Sequence, residues 1–152
     1  SEGPKLIEYN CRFGDPECQV LMMRFDGDLV ELLLAAATDG GLASASRPRL
    51  SDDYALTVVM AAKGYPGTPA KGGHIKIGNV GDARVFHAGT AIIDDQLVSN
   101  GGRVLNVTAL GDSVTEAQAE AYAAVDTIDF PSGFCRRDIG WREVARERAD
   151  TE

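Results

Sequence analysis

The sequence predicts an α+β fold, in which a small and mainly antiparallel sheet is flanked by helices. Three observations support this class. Short segments rich in β-branched and apolar residues are grouped between residues 54 and 108. Turn residues separate these segments, and stretches with helical periodicity lie before and after them. Strands that are grouped along the chain, with helices around them, favour an α+β protein.

The predicted strands begin with residues 54–62, whose β-branched and apolar composition is typical of a buried strand. The turn signals that follow are Asp94-Asp95 and Asn100-Gly101-Gly102, so we expect neighbouring strands to pair in antiparallel fashion. The other short strands are predicted at residues 75–77, 84–87, 91–93, 96–99 and 102–108.

The predicted helices carry recognisable end signals. Asp28 and Glu31 have the spacing of a capping box, as do Ser113 and Glu116. Gly40-Gly41 is a typical helix stop, and residues 41–51 predict a loop. Helices are predicted at residues 17–25, after residue 28, after residue 113 and from residue 140 to about 148.

Composition limits the classes of function. A chain of 152 residues suits one domain with a hydrophobic core. The net charge of −8 makes nucleic acid and anionic membranes poor partners, and no apolar run is long enough to span a bilayer. Cys11, Cys18 and Cys135 lack zinc-binding spacing and predict reduced thiols in a cytoplasmic protein.

A polar pattern near the start of the chain indicates a metal and phosphate site. Residues 5–10 predict a strand, on which Glu8, Asn10 and, if the strand continues, Arg12 share one face. Alternate side chains lie roughly 6.5 Å apart along a strand, so Glu8 and Asn10 can reach one cation. Carboxylate and amide oxygens suit Mg²⁺ or Mn²⁺. Arg12 can pair with a phosphate or carboxylate. The pattern alone favours the solvated face of an edge strand, and only the whole segment changes this interpretation.

The whole segment from Glu8 to Gln19, EYNCRFGDPECQ, resembles the signature of the phosphoribosylamine–glycine ligases, also called glycinamide ribonucleotide synthetases. Its RFGDPExQ core is highly specific. The similarity continues through most of the chain, in the segments DLVEL at 28–32, VVMAA at 58–62, GYPG at 64–67, VFHAGT at 85–90, NGGRVL at 100–105, VTALG at 107–111 and RDIGWR at 137–142.

This resemblance implies an ATP-grasp ligase of purine biosynthesis. In that reaction ATP phosphorylates glycine, and the amine of 5-phosphoribosylamine attacks the resulting glycyl phosphate. Glu8 and Asn10 would then bind Mg²⁺ or Mn²⁺, and Arg12 would bind the acyl phosphate or the glycine carboxylate. The substrate-binding residues that the resemblance implies are Asp15, Gly102 and Arg103.

The family's N-terminal and hinge domains and most of its ATP-grasp domain lie outside the sequence. Residues 1–40 resemble the end of the ATP-grasp domain and residues 41–152 the C-terminal domain. We therefore expect further residues to precede Ser1, the absent parts to be partners of this chain, and the isolated chain to be inactive. Two alternatives remain: a non-catalytic assembly module that docks onto a separate ATP-grasp chain, and another ATP-grasp carboxylate–amine ligase.

Three other positions allow two interpretations each. Arg103 is either the ligand for a 5-phosphate, with Gly102 letting the backbone approach, or a surface arginine after a turn. His87 is either near the substrate or a hydrogen-bonded structural residue. Arg136-Arg137 is either a phosphate contact or a surface pair held in salt bridges.

Overall fold

A computed structural model describes residues 3–150, and its centre is a four-stranded antiparallel sheet with the order β4-β7-β3-β8. Two further pairs, β1-β2 and β5-β6, form separate two-stranded sheets. In chain order the elements are α1 (Glu17–Arg24), β1 (Phe25–Asp26), α2 (Leu29–Ala36), α3 (Gly41–Ser44), β2 (Arg49–Leu50), β3 (Tyr54–Ala62), β4 (Arg84–His87), β5 (Thr90–Ile93), β6 (Gln96–Ser99), β7 (Arg103–Gly111), α4 (Val114–Asp126), β8 (Gly133–Phe134) and α5 (Trp141–Ala149).

The core lies between one face of this sheet and α4. Val58 of β3 and Val107 of β7 are cross-strand partners and are fully buried. Alternate residues along each strand share this face, because successive side chains in a strand point to opposite sides. Ala117 and Ala121 cover it from α4, and their small side chains let the helix approach closely. Burial of this apolar face is the main stabilising contribution to the domain.

The opposite face of the sheet is more polar and lies under α1, which contacts both β3 and β7. Thr57 and Thr108 are cross-strand partners there, and the Thr108 hydroxyl donates a 2.8 Å hydrogen bond to the Thr57 hydroxyl. The contact of α1 with the two long strands brings the segment that precedes α1 close to the sheet. That segment contains the predicted metal and phosphate residues.

Several predicted elements are confirmed. The strand at 54–62 and the antiparallel pairing are as expected. The Asp28 carboxylate accepts a 3.0 Å hydrogen bond from the Glu31 amide at the start of α2, and the Ser113 hydroxyl accepts a 3.1 Å bond from the Glu116 amide at the start of α4. The Glu116 carboxylate in turn accepts a 2.8 Å hydrogen bond from the amide of Asp112, the residue before the N-cap Ser113. Within residues 3–150, no helix combines the length and apolar character that crossing a membrane requires.

Three predictions about local structure are wrong. Residues 5–10 form no strand. A strand is held by a ladder of hydrogen bonds to a neighbouring strand, and within residues 3–150 no strand pairs with this segment. Ile7 and Tyr9 are 94% and 88% exposed. Residues 75–77 likewise form no strand: Lys76 makes an isolated bridge with Asp129, and the neighbouring bridge to Val98 belongs to His74. The predicted loop at 41–51 contains α3 and β2.

The N-terminus of α4 is capped by a residue from α5. The Glu147 carboxylate accepts hydrogen bonds from the Val114 amide at 2.8 Å, the Thr115 amide at 2.9 Å and the Thr115 hydroxyl at 2.6 Å. Helix N-termini have unpaired amides and a positive dipole end, so a carboxylate is favourable there. The hydrogen bond from the Thr115 side chain is the main cause that lowers the pKa of Glu147 below its ordinary value.

We expect Glu147→Gln to lower the melting temperature of the chain at pH 7. Because the pKa of Glu147 is lower in the folded state than in the unfolded state, its contribution is present at neutral pH and is lost as the pH falls through the folded-state pKa. The melting temperatures of the wild type and the variant should therefore converge as the pH is lowered from 7 to about 3. Thermal unfolding followed by circular dichroism measures this. Glu120→Gln, at an exposed position of α4, is the control; a pH-independent difference for Glu147→Gln would contradict the capping role.

Candidate active site

Glu8 and Asn10 lie side by side in the segment before α1. The Asn10 side-chain nitrogen donates a 3.2 Å hydrogen bond to the Glu8 carboxylate, so the two side chains meet although the strand does not form. Rotation of the Asn10 amide by half a turn would present its oxygen beside the Glu8 carboxylate. A carboxylate and an amide oxygen are hard ligands that fit Mg²⁺ or Mn²⁺. Both side chains are exposed, which suits a cation that takes its other ligands from water and substrate phosphates.

Arg12 does not join this pair in the structure. Its guanidinium donates a 2.9 Å hydrogen bond to the carbonyl of the neighbouring Phe13, and the side chain is exposed. The predicted role of Arg12 toward an acyl phosphate or carboxylate therefore remains a prediction. A guanidinium held only by one local carbonyl retains most of its donors for an anion.

The structure brings two predicted substrate-binding residues together. The Arg103 guanidinium donates a 2.8 Å hydrogen bond to the Asp15 carbonyl and forms a 2.9 Å ion pair with the Asp15 carboxylate. The two residues are 88 positions apart in the sequence. This contact joins the segment that carries Glu8 and Asn10 to the first residue of β7. Both side chains remain partly exposed, so a ligand can reach them.

Glycines determine where Arg103 lies. A Cβ atom on Gly102 would come within 2.5 Å of the Tyr65 ring, and a Cβ atom on Gly101 would come within 2.9 Å of the Gly89 Cα atom. The chain before β7 therefore packs directly against two other loops. The Gly102 carbonyl also accepts a 2.9 Å hydrogen bond from the Ala62 amide at the end of β3. Close packing is thus the role of Gly102 that the structure displays, and its predicted contact with substrate remains a prediction.

Arg103 borders a cavity of about 390 Å³ on the sheet face that α1 also covers. Alternate residues of β3 (Thr57, Val59 and Ala61) form one wall, and Pro16 and Tyr65 contribute others. A volume of this size is within the range of small-molecule sites. The remaining wall comes from residues 134–139, including Arg136.

The second cavity and the cysteine at the first cavity are less suited to binding or reacting with a phosphate than Arg103 is. A larger cavity of about 670 Å³ lies beside Tyr54. Its charged lining has one arginine, Arg148, against three carboxylates, and this net negative charge opposes phosphate binding. Cys135 also borders the smaller cavity, where burial raises the pKa of its thiol. A protonated thiol is a weak nucleophile.

The structure also shows the contacts of His87, Arg136 and Arg137, the other positions that the sequence left with two interpretations. The His87 ring nitrogen Nδ1 lies 3.1 Å from the Thr90 hydroxyl, a local hydrogen bond at an exposed position. Arg136 and Arg137 are held in salt bridges, with Asp138 and Asp126 respectively, as in the second of their two interpretations. Sequence analysis missed the cavity walls supplied by Tyr65, Phe134 and Ile139, since their side chains are brought together only by the folded chain.

Comparison with known proteins decides the family. Residues 55–142, more than half of the chain, match the sequence profile described as phosphoribosylglycinamide synthetase, C domain. The chain belongs to the phosphoribosylglycinamide synthetase family. The match to this family extends from the second residue of β3 to the second residue of α5, so it contains α4 and all of the central sheet except Tyr54. It confirms the resemblance seen in the sequence.

Individual relatives extend the similarity over nearly the whole chain. The phosphoribosylamine–glycine ligase of Mesorhizobium japonicum is 65% identical over 97% of this chain, and that of Agrobacterium fabrum is 57% identical over 98%. Each alignment covers 35% of the relative. The crystal structure of phosphoribosylamine–glycine ligase from Thermotoga maritima has a TM-score of 0.70 and 35% identity, over 89% of this chain and 33% of that chain. The α+β prediction is confirmed, and the chain spans about a third of the length of these relatives.

Proposed function

We propose that this chain is the C-terminal part of an ATP-dependent ligase that joins glycine to 5-phosphoribosylamine in purine biosynthesis. The observation that carries the proposal is the contact between Arg103 and Asp15. It links the segment with the metal-binding pattern to the C domain that the family match identifies, at the edge of a cavity of suitable size. Three cysteines without disulfides support a cytoplasmic location.

The proposed chemistry depends on positioning and charge neutralisation. Glu8 and Asn10 would hold Mg²⁺ or Mn²⁺, which supplies positive charge to the phosphates of ATP and of the acyl phosphate when it is bound. The amine nitrogen of 5-phosphoribosylamine attacks the carbonyl carbon of glycyl phosphate, the carbon–oxygen bond to phosphate breaks, and the nitrogen loses a proton as the amide forms. Arg12 would bind the acyl phosphate or the glycine carboxylate.

Arg103 is suited to the 5-phosphate of the sugar substrate. A guanidinium has five N–H donors, and the two contacts with Asp15 leave others for a phosphate. Asp15 also fixes the orientation of the guanidinium before substrate arrives. A group already held in its working orientation loses less entropy on binding.

ATP binding is assigned in this proposal to the part of the relatives that this chain does not match. Apolar side chains are exposed on α2 and in the segment before α1, and we propose that they form the surface that contacts this unmatched part. Val30 and Leu34 of α2 are 75% and 67% exposed, and Ile7 and Tyr9 are more exposed still. The same observation favours the second candidate function, an assembly module that docks onto a separate ATP-grasp chain. A third candidate, another carboxylate–amine ligase, is tested by substrate profiling.

The isolated chain is expected to show no turnover with ATP, glycine and 5-phosphoribosylamine. A chimera in which it replaces the matching third of the Mesorhizobium japonicum ligase is expected to be active, because the two share 65% identity there. The assay measures ADP release that requires both glycine and 5-phosphoribosylamine. The native Mesorhizobium ligase is the control.

Turnover by the isolated chain would contradict the need for the unmatched part. An inactive but folded chimera, beside an active native control, would contradict the ligase function. Gel filtration of this chain with the first two-thirds of the Mesorhizobium ligase tests the assembly function separately, since a stable complex without turnover would favour it.

A further inference from the structure

Arg136 is the second arginine among the residues that line the 390 Å³ cavity bordered by Arg103, and it also lines a neighbouring depression together with Asp138. It follows β8, whereas Arg103 begins β7, and β3 lies between these two strands in the sheet. The two arginines therefore approach the cavity from opposite sides of the β3 wall. Apolar side chains of Val59 and Ala61 form the surface between them.

The backbone that carries Arg136 is held in place by α4. The Tyr122 hydroxyl donates a 2.8 Å hydrogen bond to the Arg136 carbonyl and accepts a 3.0 Å bond from the Ile139 amide. The Gln118 side chain donates a 2.6 Å bond to the Ile139 carbonyl. These bonds use backbone atoms of residues 136 and 139, so they constrain the loop without engaging the Arg136 guanidinium. Such preorganisation is typical of residues that position a ligand.

The guanidinium of Arg136 is at present paired with its neighbour Asp138, through bonds of 2.9 Å from Nε and 2.6 Å from Nη2. The Asp138 carboxylate occupies the two-pronged donor face that a phosphate would use. The pair is local and exposed, with 68% and 51% of the two side chains accessible. Because the pair is exposed, a phosphate dianion can reach the guanidinium, and its larger negative charge lets it compete with the carboxylate.

Arg137 provides a natural comparison. It is also exposed, and it forms an ion pair with Asp126 at 2.7 Å. Its guanidinium lies over the Tyr122 ring, 5.5 Å from the ring centre, and the side chain borders a different depression. Two adjacent arginines of equal charge therefore differ in position, and only Arg136 lines the cavity that Arg103 borders.

We propose that Arg136 is a second phosphate-binding residue of this cavity, which takes a phosphorylated sugar whose phosphate is held between Arg136 and Arg103. The inference rests on the proposed function for the identity of the sugar as a ribosylamine phosphate. Two guanidiniums match the double negative charge of a phosphate monoester. The apolar surface of Val59 and Ala61 is suited to the carbon skeleton of the sugar.

The experiment measures binding of ribose 5-phosphate to this chain by isothermal titration calorimetry, with ribose and inorganic phosphate as separate arms. We expect the wild type to bind ribose 5-phosphate saturably, inorganic phosphate more weakly, and ribose not measurably. Arg136→Gln should weaken the binding of ribose 5-phosphate about tenfold, as expected for loss of a charge-assisted hydrogen bond. Arg136→Lys should restore part of the affinity, because a charge remains without the planar fork.

Arg137→Gln is the matched control and should stay within about twofold of the wild type, as is usual for an exposed charge without a ligand contact. Equal losses in Arg136→Gln and Arg137→Gln would overturn the proposal, because they would indicate only the effect of net charge. The absence of saturable binding to the wild type would overturn it also. Unchanged melting temperatures establish that the variants are folded.

The two proposals fail in different ways. An active chimera whose KM for 5-phosphoribosylamine is unaffected by Arg136→Gln would overturn the role of Arg136 and leave the ligase function intact. An inactive chimera, together with ribose 5-phosphate binding that depends on Arg136, would overturn the ligase function and support a sugar-phosphate site of other use.

Discussion

Glu8→Gln in the active chimera is expected to reduce turnover by roughly a hundredfold or more at a fixed Mg²⁺ concentration, since metal ligation is lost. Asn10→Ala should act in the same direction. The two side chains are in contact at 3.2 Å in the structure, so each would lose its partner in the proposed metal site. Added Mg²⁺ should restore part of the activity, because a weakened site can still be filled by mass action.

Titration of the turnover rate with Mg²⁺ and with Mn²⁺ measures this effect. Glu31→Gln is the matched control, because Glu31 is an exposed glutamate of the same polypeptide region, at the start of α2. Its metal dependence should equal that of the unsubstituted chimera. Unchanged metal dependence in both Glu8→Gln and Asn10→Ala would reject the assignment of the two metal ligands.

Leu105→Ala is expected to lower the free energy of unfolding by about 3 kcal/mol, within the usual range of 2–5 kcal/mol for a buried leucine. Leu105 is fully buried and lies on β7, two residues after Arg103. It pairs with Met60 of β3 and with His87 of β4, so the cavity left by the substitution would lie where three strands meet. Loss of packing there weakens the central sheet as a whole.

Urea unfolding of the isolated chain, followed by circular dichroism, measures this free energy. Ile92→Ala is the control, because Ile92 is 67% exposed on β5 of the separate two-stranded sheet. Its effect should be no more than about 0.5 kcal/mol. A loss of less than about 1 kcal/mol for Leu105→Ala would contradict the tight packing of this position.

Elements with local signals were predictable. The bounds of β3 agree with its β-branched composition, and the caps at Asp28 and Ser113 follow from side chains that reach amides three residues ahead. The strand predicted at residues 5–10 failed for a non-local reason, because alternation of side chains cannot provide a hydrogen-bonding neighbour. The strand at 75–77 failed in the same way, with a single isolated bridge at Lys76 in place of a ladder.

The sequence by itself determined the family and nominated Glu8 and Asn10, because a continuous motif is readable without knowledge of the fold. Only the tertiary structure decided that Asp15 contacts Arg103, 88 positions away in the sequence. That contact depends on the close packing of the loop at Gly101-Gly102 and on the packing of α1 against the sheet. The tertiary structure likewise separated Arg136 from Arg137. Adjacent side chains of one charge are equivalent in a sequence, and the packing of the loop against Tyr122 and β3 places only Arg136 at the cavity with Arg103.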